Sequence, residues 1–109
     1  MANAYKVLGQ SSPVAATLTS LYTVPAATSA VSSTLTVCNY GVSTTFRVAI
    51  RPAGATPIAN QHYILYEVAI NANDTLFFTL GLSLATTDVV SVYAGTATVS
   101  FNLYGTEIT

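Results

Sequence analysis

The feature that most constrains the fold is a series of short segments in which apolar and polar residues alternate. Examples are "VSSTLTVCN" (31–39), "FRVAIRP" (46–52) and "YILYEVAI" (63–70). Alternation with a period of two is typical of half-buried β-strands, and the abundant Thr, Val, Tyr, Ile and Phe favour strands. We find no segment with the 3.6-residue period of an amphipathic helix. The chain is therefore predicted to be all-β.

Turn-forming residues separate these segments every 10–15 positions or so, a spacing typical of a β-sandwich or barrel. About eight strands are predicted, near residues 5–8, 18–24, 30–38, 44–51, 62–70, 75–80, 88–94 and 97–104. Eight antiparallel strands favour a jelly-roll-like sandwich of two sheets. An immunoglobulin-like sandwich is the alternative, although its Trp and paired cysteines are missing.

The alternation also predicts which side chains share a face. In the third strand Val31, Ser33, Leu35 and Val37 are expected on one face, opposite Ser32, Thr34, Thr36 and Cys38. In the fifth strand one face is expected to hold Ile64, Tyr66, Val68 and Ile70.

The length of 109 residues predicts one domain, residues 1–109. Within it, residues 1–14 are a possible extended N-terminal arm. Tyr5 and Val7 are its strand-like apolar residues, and such an arm can add a strand to the open sheet edge of a neighbouring chain.

The chain is poor in charge, with 6% charged residues where average domains carry about 25%. Its net charge is −1 without a basic stripe, so no nucleic-acid partner is predicted. The apolar runs are too short to span a bilayer, and "MANAYKVLGQ" does not resemble a signal peptide, so we expect assembly in a cytoplasm. A surface with so little charge predicts a chain covered by other subunits in a homo-oligomer.

The motif "STLTVCNYG" (33–41) raises the question of a cysteine nucleophile, because Cys38 and His62 are the only residues of their types. One Cys excludes an internal disulfide, and one Cys with one His excludes a Cys/His zinc cage. We interpret Cys38 as a packing residue, Asn39 and Gly41 as a strand-to-turn transition, and His62 as an exposed or interface residue. The prediction is a protein without enzymatic activity, catalytic residues, metal or cofactor.

Arg47 and Arg51 lie four residues apart on one predicted strand face, roughly 13 Å from each other. They are interpreted either as solvated residues that pair with Glu67 or as contacts to an acidic partner surface. The candidate interface contacts of the chain are Tyr5, Val7, Arg47, Arg51, His62 and Tyr63.

Several motifs carry a resemblance to a known group of proteins. They are "YKVLGQSSP", "LYTVPAATSAVSSTLTVCNYG", "TTFRVAIRPAGATPIANQHYILYEVAINANDT" and "ATTDVVSVYAGTATVSFNLYGTEI". Together they cover nearly the whole chain, which resembles small virion proteins of tailed bacteriophages, with those of phages that infect cyanobacteria and other aquatic bacteria nearest.

The resemblance implies a virion structural protein assembled in the host bacterial cytoplasm. The leading expectation is a capsid decoration (cement) protein, a homotrimer that contacts the major capsid protein. A tail, baseplate or fibre component is the alternative. From the residues themselves, a carbohydrate-binding module remains a second alternative, in which Tyr63 and Tyr93 would form an aromatic platform.

Overall fold

The structure, a computed structural model, describes residues 2–109 and consists of eight β-strands with two short 3₁₀ turns. The strands are β1 (Asn3–Ser11), β2 (Thr19–Thr23), β3 (Ser29–Asn39), β4 (Thr44–Arg51), β5 (Tyr63–Ile70), β6 (Asp74–Leu84), β7 (Val89–Ala94) and β8 (Val99–Ile108). The 3₁₀ turns, Pro52–Gly54 and Asn60–His62, both lie in the β4–β5 loop. The prediction of an all-β chain with eight strands is confirmed.

The strands form two antiparallel four-stranded sheets. The first sheet has the order β1-β8-β3-β6 and the second β2-β7-β4-β5. Successive strands change sheet everywhere except at the β4–β5 connection, which gives the two-sheet arrangement of a jelly roll. In an immunoglobulin-like sandwich the first two strands pair in one sheet. Here β1 and β2 belong to different sheets, so the order differs from that alternative.

The core lies between the sheets and contains aliphatic and aromatic side chains from both. Phe46 of β4 packs edge-on against Phe78 of β6 and Phe101 of β8, with ring centroids 6.1 and 5.9 Å apart. Leu35 and Val37 of β3 are completely buried beside them. The edge-to-face geometry and burial of such rings stabilise the contact between the sheets.

A β-bulge at Ser33 changes the side-chain alternation of β3. The register shifts between Ser32 and Thr34 in both pairings of this strand. Ala30 and Ser32 consequently face the core, whereas Val31 is 43% exposed. A bulge inserts one residue and reverses the parity of the faces. The prediction that Val31 and Ser33 share a face with Leu35 and Val37 is therefore wrong.

The N-terminal segment pairs with β8 of its own chain, from Asn3 opposite Ile108 to Ser11 opposite Phe101. Because β1 is an edge strand, its other side has no neighbour within the sheet. The side chains of Tyr5 and Val7 on β1 are exposed, with 81% and 45% of their surface accessible. Addition of a strand from another copy at this edge stays a prediction.

Candidate functional site

The outer surface of β5 carries a cluster of tyrosines because this strand is bulged. Between the pairs Phe46–Val68 and Val48–Leu65, one residue of β4 faces two residues of β5. Those two residues are Tyr66 and Glu67, and Glu67 adopts a left-handed backbone with φ of +49°. Tyr66 is turned outward as a result and is 58% exposed. Leu65 packs on the core instead, so the prediction that Ile64 and Tyr66 share the face of Val68 is wrong.

Arg47 makes three contacts within this cluster. Its Nε donates a hydrogen bond of 2.6 Å to Oε2 of Glu67, which confirms the predicted pairing of these residues. Its guanidinium carbon lies 4.6 Å from the ring centre of Tyr66 and 4.3 Å from that of Tyr93. The hydrogen bond that Arg47 donates to Glu67 raises the pKa of Arg47. The charge of Arg47 is therefore satisfied by a carboxylate and two aromatic faces.

A shallow open groove of about 460 Å³ lies next to the arginine and is lined by Asn60, Tyr63 and Tyr66. The rings of Tyr63 and Tyr66 meet edge to face, with their centroids 4.9 Å apart. Asn60 begins the second 3₁₀ turn of the β4–β5 loop and is exposed. The groove thus combines aromatic surface with phenol and amide groups, a composition typical of small-ligand sites.

Arg51 fixes the β4–β5 loop to the sheet. Its Nε donates to Oγ of Ser91 at 3.0 Å, and its Nη1 donates to the carbonyl of Ala55 at 3.4 Å. The loop is also held by Asp88, whose carboxylate accepts the Ala53 N–H at 2.9 Å. Arg51 therefore acts within the chain, and a further contact of this residue with a partner stays a prediction.

His62 lies inside the same loop and is only 8% exposed. Its Nδ1 accepts a hydrogen bond of 3.0 Å from the backbone N–H of Ala59. The expectation of an exposed histidine is wrong, because the residue is buried, and the alternative of an interface contact stays a prediction. Cys38 lies on the other sheet, on β3, so the structure does not bring this cysteine and His62 together.

Asn39, next to Cys38, is a buried polar residue that contacts three turns at one end of the sandwich. Its side-chain nitrogen donates to the carbonyls of Val42 and Asn71, at 2.7 and 3.1 Å. Its Oδ1 accepts from the Gly41 N–H at 3.1 Å and from Oγ1 of Thr98 at 3.0 Å. The predicted strand-to-turn role is confirmed, since the side chain bonds its own turn. The sequence did not indicate that the same side chain also joins the β5–β6 and β7–β8 turns.

At the other end of the core, Glu107 links the two sheets. Its carboxylate accepts from Lys6 Nζ at 2.7 Å and from the Tyr22 hydroxyl at 2.6 Å. The hydrogen bonds from Lys6 and Tyr22 lower the pKa of Glu107. Burial and the adjoining Glu107 raise the pKa of Tyr22. This cluster ties β1 and β8 of one sheet to β2 of the other.

The lowered pKa of Glu107 predicts an acid-dependent contribution to stability. The contribution is present above the ordinary carboxyl pKa of 4.5 and is lost as the pH falls through the lower pKa of the folded chain. We expect the Glu107→Gln variant to be less stable than wild type at pH 7, because it loses the charged partner of Lys6 and Tyr22. The loss should be only about 1 kcal/mol, since solvent screens the half-exposed Lys6. The difference should shrink as the pH falls from about 5 to about 2, in urea unfolding at each pH. A difference independent of pH would contradict this role of the carboxylate.

The outer face of the first sheet carries uncharged side chains across all four strands. Three rows of paired residues run from β1 to β6, on the side opposite the buried Leu35, Val37 and Phe101. We call these twelve residues the uncharged face: Tyr5, Val7, Gln10, Val31, Thr34, Thr36, Phe77, Thr79, Ser83, Asn102, Tyr104 and Thr106. Seven of them carry hydroxyls, and Phe77 is 73% exposed. The charged residues of this sheet, Lys6, Asp74 and Glu107, lie outside the three rows, and Arg47, Arg51 and Glu67 lie on the second sheet.

Comparisons with protein-family models, curated proteins and solved structures gave no match. Over residues 2–109 no helix is both long and apolar enough to cross a membrane. Within the same range, no group of three or more His, Cys, Asp and Glu side chains could hold a metal ion.

Proposed function

We propose that this chain is a structural protein of a bacteriophage virion, a capsid decoration protein that forms homotrimers and contacts the major capsid protein. The observation that carries the proposal is the uncharged face. Interfaces between subunits are depleted in charge and enriched in aromatic residues. A face of hydroxyls, amides, valines and aromatic rings has this character, and it lies on the outer surface of a sheet.

A second copy of the same chain is the partner proposed for the uncharged face. A partner with many charges would leave them desolvated and unpaired against this surface, at a cost of several kcal/mol. The chain itself has only 6% charged residues, so its own surfaces are suitable partners. Four strands at about 4.8 Å spacing and about six residues on each strand at about 3.3 Å give a face of roughly 380 Å² in projection. Standard interfaces bury about 800 Å² of accessible surface on each partner, so the uncharged face supplies about half of such an interface and the residues around it supply the rest.

The capsid role is tested by the number of copies in purified particles of the phage that encodes the chain. Quantitative mass spectrometry against the major capsid protein gives that number. A decoration protein is expected in hundreds of copies on DNA-filled heads, in a fixed ratio to the capsid protein. Six or twelve copies per particle, or none, would reject the capsid role.

A tail, baseplate or fibre component is the second candidate, and the tyrosine cluster around Arg47 favours it. Tyr63, Tyr66 and Tyr93 form an aromatic surface on the second sheet, and such a surface suits contact with a receptor. Immunogold labelling of intact particles separates the candidates. Label on the tail with bare heads would support the second candidate and exclude the first.

A further inference from the structure

We propose that the groove lined by Asn60, Tyr63 and Tyr66 is a binding site for a neutral saccharide. The inference goes beyond the structural role, because that role rests on the opposite sheet and does not need a ligand at the groove. Its basis is the combination of an exposed aromatic ring, a neighbouring amide and a volume of about 460 Å³. That volume is within the range of small-ligand sites.

The lining matches the two kinds of surface that a pyranose presents. The C–H groups on one side of a sugar ring are apolar and pack on an aromatic face, while its hydroxyls need donors and acceptors around the rim. Tyr66 supplies an exposed ring, and Tyr63 meets it edge to face. The amide of Asn60 can both donate and accept, as can the two phenol hydroxyls. These groups orient a neutral polar ligand without a charged partner.

The aromatic wall is fixed in place before any ligand arrives. Arg47 stacks on Tyr66 and is itself locked by Glu67 and Tyr93. The left-handed backbone of Glu67 forms the bulge that points Tyr66 outward. Bulges commonly re-aim a side chain, and residues held in rare backbone conformations cluster at ligand sites. A preorganised ring loses little conformational freedom on binding.

The electrostatics of the cluster favour a neutral ligand over an ionic one. Arg47 is the cation between two tyrosine rings, so it already takes the place that an ammonium ligand would occupy. Its charge is neutralised by Glu67, so an anionic ligand would meet no free positive group at this point. Sugars without acidic groups are consequently the ligands that fit.

The test is a titration of the full chain, followed by NMR, with maltotriose, cellotriose, tri-N-acetylchitotriose, mannotriose and galactose. At least one sugar is expected to bind and to shift signals of Asn60, Tyr63 and Tyr66. The Tyr66→Ala variant should weaken this binding about tenfold or more, because it removes the stacking face. Asn60→Ala is a second variant at an exposed loop position, where folding is not at risk, and should weaken binding severalfold.

Tyr40→Ala is the matched control, since it removes an exposed tyrosine that lies outside both the groove and the uncharged face. This variant should bind the sugar as wild type does. The proposal is overturned if none of the five sugars binds, or if binding survives both groove substitutions. It is also overturned if a decaproline peptide occupies the groove and the sugars do not, since aromatic grooves can accept polyproline segments. The uncharged face lies on the other sheet. A negative result at the groove therefore does not bear on self-association, which is tested separately.

Discussion

The Asn39→Asp variant is expected to lose about 3–5 kcal/mol of unfolding free energy, a large part of the stability of a domain of this size. The substitution is nearly isosteric, so packing hardly changes. The carboxylate, however, would face the carbonyl oxygens of Val42 and Asn71, which now accept from the amide nitrogen. Asn39 is 1% exposed, so water cannot replace the lost donors. Urea unfolding of wild type and variant at pH 7 measures the loss.

Asn73→Asp is the matched control for this substitution. Asn73 is exposed in the β5–β6 turn with φ of +55°, a conformation that Asn and Asp both tolerate. The Asn73→Asp substitution should change the free energy of unfolding by no more than about 0.5 kcal/mol. Equal effects of the two substitutions would show that Asn39 does not hold the three turns together.

The Thr36→Lys variant is expected to weaken self-association of the chain at least 100-fold. Thr36 lies on β3, an inner strand of the uncharged face, paired with Asn102 of β8 and Phe77 of β6. In a free monomer the lysine extends into solvent and the fold is retained. Against a second copy it would be an unpaired charge in a buried surface, which costs about 3–5 kcal/mol, or a factor of about 10² to 10³ in the dissociation constant.

Sedimentation velocity across a concentration series measures the association of this variant. The control is Thr23→Lys, which puts the same charge on an exposed position of β2 in the second sheet. That variant should associate as wild type does. If Thr36→Lys sediments like wild type over the whole series, the uncharged face is not the contact surface between copies.

The strand content and the approximate strand positions could be predicted from the sequence because alternation and turn residues are local signals. The side-chain faces of β3 and β5 could not, since a bulge depends on the pairing of neighbouring strands. Ser33 and Glu67 carry no residue signal for a bulge, and Glu67 even adopts a backbone that glycine would favour. The bulge at Ser33 accounts for the exposure of Val31, and the bulge at Glu67 accounts for that of Tyr66.

The sequence predicted some contacts of the candidate sites and not others. The Arg47–Glu67 pair follows from the register of adjacent strands, and the sequence indicated it. The burial of His62 and the reach of Asn39 to Thr98 depend on loops that meet only in the folded chain. The uncharged face required the register of four strands, because its residues come from positions 5 to 106 and no single strand displays it.

The central claim is that other copies cover the uncharged face. Hydroxyl-radical footprinting of the purified chain, at the concentration where it associates, tests this claim most directly. In an isolated chain Tyr5 and Phe77, 81% and 73% exposed, should be oxidised at least as fast as Tyr40 and Tyr66, which are 57% and 58% exposed. We predict the reverse order, with Tyr5 and Phe77 protected and Tyr40 and Tyr66 labelled. Rapid oxidation of Tyr5 and Phe77 at every concentration would contradict the account.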